Sequence, residues 1–232
     1  MADSGYLHRE EHLRSSDFIS DIVIGMSDGL TVPFALAAGL SGAVANSSLI
    51  VTAGIAEVVA GSIAMGLGGY LAGRTEVDHY ESERRRETGE VDTVPEREKE
   101  EVREVFADMG LSAVLQTAIA DELAKDKTKW VDFMMKYELG LDEPDPNRAT
   151  KSALTIGLAY VVGGLVPLSP YFLIVRPQEA LLYSIGITLV CLFVFGYFKA
   201  KVTGQPPVVG AIKVMLIGAA AATAAFSIAR LL

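Results

Sequence analysis

The stretch SSLIVTAGIAEVVAGSIAMGLGGYLAG (Ser47–Gly73) contains a single charged side chain, that of Glu57. As a helix it is long enough to cross roughly 30 Å of hydrocarbon. Four further stretches have similar length and apolar character, and they are Asp17–Gly42, Ser152–Leu173, Glu179–Phe198 and Pro207–Leu232. The sequence therefore predicts an all-α membrane protein with five transmembrane helices.

An acidic, polar insert separates the second predicted span from the third. Residues 75–147 carry 21 acidic and 10 basic side chains, although the whole chain has a net charge of only −9. Such an insert repels nucleic acid and attracts cations. No helix breaker follows the second span before Gly89, and Pro95 suits the first turn of a new helix. We therefore expect a helical domain on a stalk that continues the second span.

This pattern predicts four parts: an N-terminal tail (1–16), transmembrane helices 1 and 2 (17–73), the helical insert (74–147) and transmembrane helices 3 to 5 (148–232). Pro167, Pro170 and Pro177 predict helix breaks between the third and fourth spans. Basic residues flank the spans mostly on one side, namely Arg9, Arg14, Arg74, Arg84, Arg85, Arg86, Arg148, Lys151, Lys199 and Lys201. By the positive-inside rule, the N-terminus and the insert are expected in the cytosol and the C-terminus on the far side.

Two of the predicted spans carry a carboxylate near their middle, Asp28 in the first and Glu57 in the second. A charged acid at this depth costs about 2.5–3.5 kcal/mol, and such residues usually serve an ion pathway. Because the two spans form an antiparallel hairpin, Asp28 and Glu57 should lie in one layer. Asp21 and Met65 lie two helical turns nearer the cytosol, so the four side chains could line a cation path. A protonated carboxyl bonded to a neighbouring helix is the alternative for each acid.

The insert contains carboxylates at helical spacing. Glu83, Glu87 and Glu90 fall on one helical face, and Glu98, Glu101 and Glu104 follow one another three apart. Met134 and Glu138 lie four apart. Carboxylates beside a thioether suit Fe²⁺, Co²⁺ or Zn²⁺. A solvated acidic face without a metal remains the alternative.

Two runs resemble the vacuolar iron transporter family: SDGLTVPFALAAGLSG (Ser27–Gly42) and EVVAGSIAMGLGGYLAGRTEVDHY (Glu57–Tyr80). The resemblance extends to the Glu-rich insert and the three later spans. It implies a homodimer with its pore at the dimer interface, in the vacuolar membrane, which moves Fe²⁺ from cytosol to vacuole in exchange for protons. Mn²⁺, Co²⁺ and Zn²⁺ are implied as further substrates. A dimer also suits the chain itself, because five helices are few to enclose a polar path.

The resemblance also implies roles for individual residues. Asp28 and Met65 would be the metal ligands in the membrane, and Glu57 an acid needed for transport. The ligands implied in the insert are Glu87, Glu90, Glu98, Glu101, Met134 and Glu138, while Glu83 and Glu104 lie outside the motif. No prosthetic group is expected, and the metal is the transported substrate.

Three other functions remain open from the sequence. The first is a transporter specific for Mn²⁺ or Ca²⁺, which would share most of these features. The second is a membrane-bound di-iron oxidase, although the chain has only one Glu-x-x-His unit, Glu76–His79, where such sites use two. The third is a membrane scaffold whose insert is a solvated bundle without a metal.

Overall fold

The computed structural model describes residues 15–229, so most of the predicted N-terminal tail lies outside the described residues. Within that range every regular element is helical. The helices are α1 (Ser15–Ser41), α2 (Ser47–Thr93), α3 (Pro95–Asp108), α4 (Ala113–Leu123), α5 (Lys127–Phe133), a π-helical turn (Met134–Glu138), α6 (Arg148–Leu173), α7 (Pro177–Val202) and α8 (Pro207–Ala229).

Five of these helices, α1, α2, α6, α7 and α8, are long and apolar enough to cross a membrane. The predictions of an all-helical chain and of five apolar spans are therefore confirmed. Helix α7 extends beyond the predicted end at Phe198 as far as Val202. Lys199 and Lys201 lie in its last turn, where cations interact favourably with the helix dipole.

The predicted helix breaks at Pro167 and Pro170 are wrong, because both prolines lie inside the continuous helix α6. Pro170 has no N–H to offer the carbonyl of Val166, and that carbonyl instead accepts a hydrogen bond from Ser169 Oγ at 2.7 Å. The carbonyl of Pro167 accepts one from Ser184 Oγ of α7, also at 2.7 Å. Side-chain donors thus stabilise a proline-containing helix, as they commonly do in apolar surroundings. Of these three prolines, only Pro177 begins a new helix.

Helix α1 packs against α6 through glycines. A Cβ atom on Gly25 would lie 2.3 Å from the carbonyl oxygen of Ile156, and one on Gly29 would lie 2.4 Å from that of Tyr160. Side chains at these positions would collide with backbone, which cannot move away cheaply. The small residues of α1 therefore serve close helix packing within the chain.

The chain divides into two compact units, the described part of Met1–Tyr70 with Thr150–Leu232, and Leu71–Ala149. The second unit contains the end of α2 together with α3, α4, α5 and the π turn. Its core is one cluster of buried side chains: Tyr80, Val91, Val102, Ala120, Trp130, Val131, Met134 and Met135. Burial of these side chains is the main source of stability for a unit of this size.

The π turn differs from the α-helix that the four-residue spacing of Met134 and Glu138 predicts. The backbone N–H of Leu139 donates to the carbonyl of Met134, five residues earlier, at 3.1 Å. Gly140 follows with a φ of +65°, a conformation that side-chain-bearing residues rarely adopt. Turns of this kind occur often at functional sites, and this one carries both Met134 and Glu138.

Candidate metal-binding sites

The four side chains proposed to line the membrane path lie on α1 and α2. Asp28 on α1 and Glu57 and Met65 on α2 are half-buried, and Asp21 on α1 is buried, with 4% of its surface exposed. Asp21 Oδ1 accepts a hydrogen bond from Ser152 Oγ of α6 at 3.1 Å. Asp21, Asp28 and Glu57 are the only charged side chains in the sequence between residues 18 and 73.

Glu57 has a partner that the sequence analysis missed. The hydroxyl group of Tyr160 on α6 donates a hydrogen bond to Glu57 Oε1. The second oxygen, Oε2, is buried and has no hydrogen-bond partner in the described part of the chain. The Tyr160 ring fits against Gly61, where a Cβ would lie 2.5 Å from the ring's Cζ atom. Glu57 thus has one oxygen held in place and one free to take a proton or a cation.

The backbone of Tyr160 also lies against Gly29, the residue that follows Asp28 on α1. The alternative interpretation of these acids predicts a hydrogen bond between each carboxyl group and a neighbouring helix. Glu57 has such a bond, with Tyr160 of α6. Tyr160 lies in the middle of an apolar span, and a buried tyrosine hydroxyl group usually has a hydrogen-bond partner. The sequence therefore contained an indication of a polar contact at this position.

In the second unit, glutamates from two helices meet. Glu87 and Glu90 lie near the end of α2 and Glu98 lies in the first turn of α3. One carboxylate oxygen from each of the three lies within 4.8 Å of the others. Glu87 and Glu98 are each only 1% exposed. Glutamates are almost never buried to this degree without a compensating partner, commonly a cation.

Neither buried glutamate is fully satisfied. The Oε2 atoms of Glu87 and Glu98 have no hydrogen-bond partner among the described residues. Leaving such oxygens unpaired costs free energy. A divalent cation accepts several carboxylate oxygens at once and would remove this cost. The three glutamates therefore form a candidate metal centre.

The pKa values in this cluster reflect burial and mutual repulsion. Desolvation, followed by the charge of Glu101, raises the pKa of Glu98 to about 7. Glu138 is exposed as a residue, yet desolvation of its carboxyl group, followed by the charges of Glu101 and Glu87, also raises its pKa to about 7. Desolvation raises the pKa of Glu87 as well, although Arg86 opposes this shift. The raised pKa values of Glu87 and Glu98 agree with their burial and with the convergence of Glu87, Glu90 and Glu98.

The remaining insert residues have different surroundings. Met134 is fully buried in the hydrophobic core of the unit, beside Val91 and Val102. Glu101 is half-buried and accepts a hydrogen bond from Arg97 Nε at 3.1 Å. Glu104, which the sequence motif leaves out, is exposed.

The single Glu-x-x-His unit, Glu76–His79, does not lie in a buried environment. Glu76 and His79 are both exposed, and Glu76 lies 3.9 Å from the guanidinium of Arg148. Ligands of di-iron centres project into a helix-bundle core. The surroundings of this unit therefore offer no support for an oxidase.

Comparison with known proteins identifies the family. The sequence model of the VIT family matches residues 19–230. The chain belongs to the VIT family. The resemblance to vacuolar iron transporters that the two hairpin motifs indicate is thereby confirmed.

Relatives of this VIT family member come from plants and fungi. Vacuolar iron transporter 1 of Tulipa gesneriana is 54% identical, over 96% of this chain and 90% of the relative. Vacuolar iron transporter 1 of Arabidopsis thaliana is 52% identical, over 96% of this chain and 89% of the relative. Protein CCC1 of Saccharomyces cerevisiae is 39% identical, over 92% of this chain and 69% of the relative. The similarity thus includes both compact units of this VIT family member.

Proposed function

We propose that this protein transports Fe²⁺ across the vacuolar membrane, from the cytosol into the vacuole, in exchange for protons. The observation that carries the proposal is a pair of half-buried acids, Asp28 and Glu57, within two apolar helices of a VIT family chain. The names of its relatives support iron as the substrate and the vacuole as the location. Zn²⁺, Co²⁺ and Mn²⁺ have ligand preferences that overlap with those of Fe²⁺.

In the membrane, Asp28 and Met65 are the proposed metal ligands. A carboxylate and a thioether together suit a divalent transition metal better than Mg²⁺ or Ca²⁺. Glu57 is the proposed proton carrier, because Tyr160 donates to one of its oxygens while the other has no hydrogen-bond partner in the described part of the chain. Buried Asp21, nearer the proposed cytosolic end, would receive the metal first.

The proposed transport unit is a homodimer with its pore at the interface between two copies. Helix α2 exposes a row of large apolar side chains, namely Leu49, Val59, Ile63 and Leu67, which require lipid or a second copy as a partner. A second copy would also provide a second set of Asp28, Glu57 and Met65. The proposed orientation has residues 74–147 in the cytosol and the C-terminus in the lumen.

The second unit is the proposed cytosolic metal-binding domain. Glu87, Glu90, Glu98, Glu101, Met134 and Glu138 are its proposed ligands. Three of these carboxylates already converge, and two are buried with an unsatisfied oxygen. Met134, which is packed in the core, would need only local repacking because methionine is flexible. The domain would collect metal ions and raise their concentration beside the membrane.

Uptake of metal by proteoliposomes under an imposed pH gradient tests this function. Vesicles with an acidic interior should accumulate Fe²⁺, and dissipation of the gradient should stop accumulation. Competition by Mn²⁺ and Ca²⁺ separates the proposal from a transporter of other specificity, which carboxylate ligands alone would also allow. Displacement of Fe²⁺ by an equal concentration of Ca²⁺ would contradict the proposed preference.

A further inference from the structure

Arg86 lies among the carboxylates of the proposed metal-binding domain. Its Nη2 atom is 2.9 Å from Glu83 Oε2 and 2.8 Å from Glu87 Oε1, and its Nη1 atom is 2.9 Å from Glu90 Oε2. Its Nε donates a further hydrogen bond to Glu83 at 3.0 Å. One guanidinium group therefore contacts three acids, and two of them, Glu87 and Glu90, belong to the converging trio.

The contacts of Arg86 differ from those of the neighbouring cation. Arg85 lies 3.7 Å from Glu81, and both of those side chains are mostly exposed, at 73% and 54%. Glu87, by contrast, is buried, and charge pairs are stronger away from water. Arg97 also reaches the cluster, at Glu101, but 74% of its side chain is exposed. Arg86 is therefore the cation most closely associated with the buried glutamates in the described part of the domain.

We propose that Arg86 is a tethered counter-ion that occupies the acidic cluster when no metal is bound and that an incoming divalent cation displaces. It thereby sets the affinity with which the domain binds and releases metal. This inference rests on the proposed role of the domain in metal binding. The carboxylates have a positively charged partner before and after the exchange, because the metal ion binds as the guanidinium group leaves.

The geometry permits this displacement. The Arg86 side chain is 46% exposed, so its guanidinium group can move towards solvent without opening the core. Glu83 lies outside the proposed ligand set and accepts from both Nε and Nη2 of Arg86. Arg86 would therefore keep a partner after leaving Glu87 and Glu90. Glu83 would then hold the guanidinium group of Arg86 in the metal-bound state, a role that helical spacing alone does not indicate.

Arg86 does not satisfy the cluster as a metal would. With Arg86 in place, one oxygen of Glu87 and one of Glu98 have no hydrogen-bond partner among the residues that the structure describes. A guanidinium is planar and approaches from one side, whereas a metal ion accepts ligands from several directions. Arg86 therefore reduces the repulsion in the empty site yet leaves ligand atoms free for the metal. A carrier benefits from such competition, because a site that binds too tightly cannot pass on its ion.

Zn²⁺ binding to the full-length protein in detergent, at pH 8, tests the proposal. All variants carry Asp28→Asn, so that the membrane site contributes little. Arg86→Gln is compared with Arg85→Gln, which makes the same change in net charge on the adjacent residue. The double variant Glu98→Gln/Glu101→Gln tests metal binding by the domain itself. Titration calorimetry gives the Kd, and thermal unfolding with and without Zn²⁺ gives the stability.

We expect Arg86→Gln to lower the Kd for Zn²⁺ by about tenfold, or about 1.4 kcal/mol. It should also lower the Tm of the metal-free protein and enlarge the increase that Zn²⁺ causes. Arg85→Gln should leave the Kd within about twofold of the parent, because exposed charges are screened. If Arg86→Gln does not fold, Arg86→Lys replaces it. A smaller decrease in Kd is then expected, because lysine keeps the positive charge but lacks the planar fork of donors with which arginine pairs carboxylates.

An unchanged or higher Kd in the Arg86 variant would overturn the proposal. An equal decrease in the Arg85 variant would also overturn it, since net charge alone would then explain the effect. The double variant tests the proposed function of the domain, separately from the role of Arg86. If Glu98→Gln/Glu101→Gln binds Zn²⁺ as tightly as the parent, the domain is not the metal site, and the inference about Arg86 fails with it.

Discussion

Tyr160 on α6 donates a hydrogen bond from its hydroxyl group to Glu57 Oε1 on α2. This bond joins the third membrane-spanning helix to the second at the level of the proposed ion path. It fixes the rotamer of an acid whose other oxygen has no partner in the described residues. The function of Glu57 should therefore depend on a residue that neither binds metal nor carries charge.

Replacing Tyr160 with Phe should slow transport. The variant keeps the ring that packs against Gly61 but loses the donor to Glu57, so that Oε1 of this half-buried acid loses its hydrogen bond from Tyr160. A lost hydrogen bond to a charged group is worth about 1.5–3 kcal/mol, so we expect a decrease in the Fe²⁺ uptake rate of about tenfold or more. Initial uptake rates in proteoliposomes measure this change.

Tyr183→Phe is the matched control for that variant, because Tyr183 is 66% exposed on α7. It should transport at the parental rate. Equal rates for Tyr160→Phe and the parent would show that the hydrogen bond has no role in transport.

Replacing Gly25 with Ala should disrupt the packing of α1 on α6. The new Cβ would lie 2.3 Å from the backbone oxygen of Ile156, so the two helices must separate. Overpacking of this kind typically costs about 1–3 kcal/mol. We expect a lower Tm in detergent and poor recovery of folded protein.

Gly186→Ala on α7 is its control, because no atom of the described residues lies within 4 Å of the position of the new Cβ, apart from its chain neighbours and the backbone of its own helix. Alanine favours the helix over glycine by about 0.5–1 kcal/mol, at least in water. The Tm should therefore stay constant or rise. A Gly25→Ala variant as stable as Gly186→Ala would contradict the close contact between α1 and α6.

The pH dependence of metal binding should reflect the raised pKa values of the insert. Glu98 and Glu138 have pKa values of about 7 in the folded protein, against an ordinary value of 4.5. A metal must replace the protons that these carboxyls still hold near pH 7. Zn²⁺ should therefore bind more tightly as the pH rises from 6 to 8, with little further gain above that range.

The stability of the metal-free protein should decrease as the pH rises, whereas its affinity for Zn²⁺ should increase. Between pH 4.5 and 7 the folded state holds more protons on these two groups than the unfolded state does. Their contribution to the free energy of unfolding therefore falls as the pH rises through this interval. Thermal unfolding of the parent and of Glu98→Gln at pH 5 and pH 8 measures it. A stability difference between the two proteins that does not vary with pH would contradict the raised pKa of Glu98.

The amino-acid sequence predicts the membrane-spanning helices well because apolar length decides them directly. The continuity of α6 through Pro167 and Pro170 could not be predicted, because side-chain hydrogen bonds accompany it. Ser169 donates to the carbonyl of Val166, which Pro170 leaves without its helical donor, and Ser184 of α7 donates to the carbonyl of Pro167. The π turn at Met134 likewise depends on packing in the core of the second unit. Spacing alone predicts an α-helix at that position.

For the candidate sites, helical spacing placed Glu87 and Glu90 on one face but could not show which carboxylates are buried. Burial of Glu87 and Glu98 depends on the tertiary packing of the second unit, in which residues of several helices share one core, and helical periodicity does not reveal that packing. The partners Tyr160 and Arg86 were missed for the same reason. The transport roles of Asp28, Glu57 and Met65, and the ligand set of the insert, remain predictions.

Simultaneous measurement of Fe²⁺ uptake and proton efflux tests the central claim most directly. Proteoliposomes with an acidic interior are compared for the parent, Asp28→Asn and Glu179→Gln, the last an exposed acid paired with Arg176. We predict that the parent and Glu179→Gln couple Fe²⁺ entry to proton exit, and that Asp28→Asn loses both fluxes. Fe²⁺ uptake and proton efflux at parental rates in Asp28→Asn would contradict the account.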